Sequence, residues 1–158
     1  MADLPRRLKI LYRIRDLLKA IQGDGGENYF YTPHAVILRF ADPTTLNGYP
    51  TYMIAGDSTP GRAEPASERI TDERFIVSVK AWVDMEAGEP TSKLEKCLAD
   101  VRKAIMNDQA SGGPGSLNEL CLACDLESLE TDGGALSLDN LGYFDQRFSF
   151  LIPLEWGE

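Results

Sequence analysis

Cys121-Leu122-Ala123-Cys124 is the spacing in this chain that comes nearest to chemistry. Two cysteines so placed can make half of a zinc knuckle or a redox dithiol. A structural zinc site needs four ligands, and only Cys97 and the single histidine, His34, remain to complete one. The redox version belongs at a helix N-terminus after a strand. Here the pair falls within a predicted strand, where residues three apart point to opposite faces. Buried small hydrophobes are therefore the better reading of these thiols. His34 follows Pro33 at the start of a strand. A general base needs a nucleophile and an orienting carboxylate, and no Gly-x-Ser-x-Gly elbow offers the first.

Two further patterns lose to simpler explanations. The glycines at Gly23-Asp24-Gly25-Gly26 and Gly112-Gly113-Pro114-Gly115 lack the Lys-Ser/Thr ending of a P-loop and the full dinucleotide fingerprint. Both stretches follow predicted helices, which glycine terminates. Asp84, Glu86 and Glu89 gather before a helix, where its dipole favours acids, and they lack the spacing of an EF-hand loop. No catalytic set, metal site or cofactor site emerges, and the chain is not expected to be an enzyme.

The elements that would position any site belong to one domain, since the chain has 158 residues. A chain of that size buries roughly 68–70% of its unfolded surface and needs no disulfide or metal to fold. With 43% hydrophobic and 26% charged residues it is not a disordered composition. No apolar run approaches a membrane span, and the basic N-terminus lacks the apolar core of a secretory signal. Three cysteines fit a reducing compartment better than a disulfide framework. The expectation is a cytoplasmic, soluble protein.

Charge is unevenly spread. Six of the 16 basic residues (Arg6, Arg7, Lys9, Arg13, Arg15, Lys19) fall in the first 19 positions, against two acids. That segment carries a formal +4, and the remaining residues carry −13. An acidic body repels phosphate, which argues against duplex binding. The basic helix is suited to a self-complementary or partner contact, with Arg6, Arg7, Lys9 and Arg13 the expected contact residues; a merely solvated helix face is the alternative.

Along the chain, Asp3 is the expected N-cap of a first helix with Pro5 in its first turn. Leu4, Leu8, Leu11, Leu18 and Ile21, joined by Ile14 and Leu17, form its apolar stripe. It should stop at Gly23 to Gly26. A strand follows with Val36, Leu38 and Phe40 on one face. Asp42 to Glu73 reads as a long Pro/Gly-rich loop containing a short strand at Thr51 to Ala55, either a docking arm or an excursion. A strand from Arg74 to Val83 places Phe75, Val77, Val79, Ala81 and Val83 on one face, with Ile76 and Trp82 partly covered on the other. Ser92 and Glu95 form a capping box for a second helix with Leu94, Leu98, Val101 and Ile105 inward. Two closing strands carry Leu120, Leu122, Cys124 and Leu126, then Phe144, Phe148, Phe150 and Ile152, with a turn at Thr131 to Gly134. The predicted fold is α+β: a mainly antiparallel mixed sheet of four to five strands with two helices packed on one face.

In this order the elements resemble the tail terminator (tail completion, minor tail) proteins of long-tailed bacteriophages. The likeness rests on the helix Leu4 to Ile21, and on Val79-Lys80-Ala81-Trp82-Val83 before an acidic break. It continues through the Leu-x-x-x-Leu-x-Asp pattern of Leu94 to Asp100 and the closing Phe144-Asp145-Gln146-Arg147-Phe148. It covers about two-thirds of the chain and is thinnest across Asp42 to Glu73. The resemblance implies a homohexameric ring at the head-proximal end of the virion tail. Such a ring caps the tail tube, ends its polymerisation and presents a surface to the head-side connector. Its partners would be copies of itself, the tail tube protein, the connector and, in a contractile tail, a sheath protein. DNA would pass through the lumen without specific binding. A head–tail connector or head-closure ring subunit is the alternative within virion assembly; a small cysteine- or zinc-dependent enzyme is the alternative of another class.

Overall fold

A computed structural model describes residues 3–56, 72–84, 92–132 and 141–153. In chain order these hold α1 (Arg6–Lys19), β1 (Ala35–Ile37), a 3-10 turn (Pro43–Thr45), β2 (Thr51–Gly56), β3 (Asp72–Asp84), α2 (Ser92–Ser111), α3 (Leu117–Leu120), β4 (Ala123–Asp132) and β5 (Leu141–Pro153). One five-stranded sheet runs in the order β1-β2-β3-β5-β4. Among the described residues, β1 and β2 pair in parallel and the other strand pairings are antiparallel. The fold is the expected α+β arrangement with a mixed, mostly antiparallel sheet.

The sheet is built around β3 and β5, which pair along their full length from Asp72↔Pro153 to Asp84↔Leu141. Period-two alternation gives each an apolar face. Phe75, Val77, Val79, Ala81 and Val83 on β3 are buried, as are Phe144, Phe148, Phe150 and Ile152 on β5. Tyr52 and Ile54 of β2 continue that layer across the sheet. The inward residues of α1 and α2 belong to the same core.

The predicted stripe of α1 holds at Ile14 and Leu18, and at Ile21 just beyond the helix, and fails at its N-terminal end. Ile10, Ile14 and Leu18 are fully buried, while Leu4 lies outside the helix and is exposed. The i, i+4, i+8 row through Ile10 wins because it points at the sheet, and Leu8, Leu11 and Leu17 flank it half-buried. Pro5, not Asp3, occupies the cap position, and the Asp3 carboxylate instead accepts from Lys9 Nζ at 2.7 Å. The helix closes at Ala20 in ordinary right-handed geometry, before the glycines. Gly25 and Gly26 take positive φ in a separate turn organised by Asp24, whose carboxylate accepts the Asn28 and Tyr29 amides.

Helix α2 is the predicted one, with Leu94, Leu98, Val101 and Ile105 buried. Ser92 is its first helical residue, so the expected capping box cannot start there; position 91 lies outside the described residues. Gly112 and Gly115, both at positive φ, end the segment as expected. A short α3 then takes Leu120 out of the predicted strand, which begins only at Ala123. The first strand is also shorter than expected, so Leu38 and Phe40 lie beyond it and exposed. In the predicted loop, Asp42 caps the 3-10 turn through the Thr44 amide, and β2 extends from Thr51 to Gly56. The remainder of that loop, 57–71, lies outside the described residues, as do the 85–91 break and the 133–140 turn.

Candidate interaction surfaces

The thiols sit in surroundings that suppress their reactivity. All three cysteines are free and buried. Burial pushes the Cys97 and Cys124 thiols up to about 12 and Cys121 up to about 11. A thiolate is the nucleophile and the metal ligand, so each is disarmed at neutral pH. Cys121 precedes β4, contrary to its predicted place within the strand, and its Sγ lies 3.0 Å from Leu117 O and 3.1 Å from Gln109 Oε1. Among the described residues no three metal-ligating side chains gather. His34 is exposed, anchored by its amide on Pro50 O at 2.8 Å, with its ring against Gly48. Asp84 accepts from Lys93 Nζ at 2.6 Å; its predicted companions at 86 and 89 lie outside the described residues.

The four predicted contact residues share α1 but already hold partners within the chain. Arg13 grips Asp108 of α2 with two hydrogen bonds, at 3.1 and 2.5 Å. Asp108 is buried and also accepts the Leu117 amide at 2.8 Å, so this pair ties α1, α2 and α3 together. Burial alone would raise the Asp108 carboxyl; the Arg13 hydrogen bond, the Leu117 amide and the Arg13 charge outweigh it and hold it below the usual range. Arg7 pairs with Glu73 and lies 4.8 Å from the Phe75 ring centroid. Arg6 donates to Leu120 O at 3.3 Å, and Lys9 pairs with Asp3. On the opposite side of α1, Arg15 lies 4.5 Å over the Tyr12 ring and pairs with Asp16, and Lys19 is exposed.

A second clamp was not anticipated. Buried Asp100 accepts the Phe30 amide at 3.0 and 3.1 Å and the Tyr31 amide at 3.0 Å. Lys103, Lys96 and Lys93 of α2 lie over Tyr29, Phe30 and Tyr31 in turn. The segment leading to β1 is thus fastened onto α2. Asp100 and Asp108 both fall within the buried stripe of α2, between Cys97 and Ile105 and one turn beyond it. An acid inside an apolar stripe is the sequence signal that could have exposed both clamps.

The side of the sheet facing away from the core carries a groove of about 250 Å³ lined by Phe40, Ala41, Met53, Lys80, Trp82 and Tyr143. Trp82 and Tyr143, opposite one another on β3 and β5, tilt together with centroids 5.0 Å apart. Trp82 Nε1 donates to Ala41 O at 3.3 Å, and Lys80 Nζ lies 4.1 Å over Phe40. The volume is below that of ordinary ligand pockets and suits one or two side chains of a protein partner. Asp145 stands beside it, only 3% exposed, with Oδ1 accepting no hydrogen bond among the described residues and Oδ2 3.6 Å from Arg147 Nε. Burial, with Asp145 and Glu130 adding, pushes the Tyr143 hydroxyl up to about 12, so it stays a neutral donor. Partial cover of Trp82 was legible in the sequence; the groove around it, and Asp145, were not.

No protein-family model matches this chain, and no curated protein does.

Proposed function

We propose that this chain is a structural protein of a phage virion, acting as a tail terminator. Copies form a ring that caps the tail tube, stops its polymerisation and offers the head-side connector a docking surface. The observation that carries this reading is the order of elements behind the resemblance: a long β3 with Lys80-Ala81-Trp82-Val83 near its end, then α2 and, after α3 and β4, the closing Phe-rich β5. The pairing of β3 and β5 along their whole length, with α2 between them in sequence, is consistent with that order. Further support comes from the chain's net charge of −9, which disfavours adhesion to DNA, and from a sheet face dressed with aromatic side chains suited to a protein contact.

A ring of identical subunits needs two different patches on each copy, related by a rotation that closes. Helix α1 is the proposed cationic patch. Purified chain mixed with tail tubes should appear in the electron microscope as one added ring of density at a single tube end. Rings that bind portal assemblies and ignore tubes would move the chain to the connector reading. Stoichiometric zinc in a persistent monomer would move it to the enzyme reading.

A further inference from the structure

We draw no further inference here: the strongest candidate, the aromatic groove of Phe40, Trp82 and Tyr143 on the face of the sheet away from the core, is an unpartnered apolar recess, and nothing in the structure shows what covers it.

Discussion

Asp108 holds three elements in register through one carboxylate: the Arg13 fork from α1, its own backbone on α2, and the Leu117 amide that opens α3. Breaking a fully buried ion pair costs about 3–5 kcal/mol. Arg13 keeps a third of its side chain in water, so D108N should cost about 1–3 kcal/mol in urea unfolding at pH 7. Its folded carboxyl lies below the unfolded value of about 3.9, so its contribution is complete above about pH 4 and fades as pH falls through the folded value. The gap between parent and D108N should therefore shrink on acidification below pH 4; a constant gap would mean that the charge is idle. This clamp also changes how the basic helix is to be tested, because reversing Arg13 attacks the fold and the contact together. The thiols give a second residue-scale prediction. With Cys97, Cys121 and Cys124 raised to about 12, 11 and 12, native protein at pH 8 should take up no iodoacetamide over minutes. Unfolded protein should take up three equivalents. Rapid labelling of one thiol in the native state would reopen the cysteine reading.

At the scale of elements, β3, α2 and β5 were legible because their apolar periods are long, even though Asp100 interrupts that of α2 and Gln146 that of β5. Ten or more alternating or helically spaced residues leave one register that buries them all. α1 was legible as a helix with Ile14 and Leu18 inward, but its N-terminal part was misread: leucine is spread around much of its circumference, and the sheet selects Ile10 there and leaves Leu4 exposed. Ile10→Ala should cost about 2–5 kcal/mol, and Leu4→Ala should stay within about 0.5 kcal/mol. Equal effects in thermal melts would restore the predicted stripe. β4 was misplaced for a different reason. It is an edge strand whose register shifts between Leu126 and Ser128, so Leu126 and Leu129 both turn inward yet stay exposed. A bulge at a sheet edge breaks the alternation that would have located the strand. The two aspartate clamps were missed because an acid on a helix is read as solvent-facing unless its stripe position is weighed.

For the whole molecule, the fold class and the mostly antiparallel character of the sheet followed from the order of elements, whereas the strand order and the groove depend on pairings far apart in sequence. Trp82 and Tyr143 meet only because β3 and β5 pair, and Phe40 and Ala41 reach them from the segment after β1. No local pattern carries that information, which is why the sheet's outer face was read as partly covered but not as a recess. Charge is legible at this scale from composition alone: a cationic first helix on a chain of net charge −9. It favours contacts between unlike patches and disfavours adhesion to DNA.

The central claim is that copies of this chain end the growth of a tail tube. The most direct measurement is the length distribution of tubes polymerised from tail tube protein, measured by electron microscopy with and without the purified chain. The account predicts that added chain halts elongation, with one ring at the terminated end of each tube. Tubes that grow to the same lengths with bare ends, at a chain concentration exceeding that of tube ends, would contradict it.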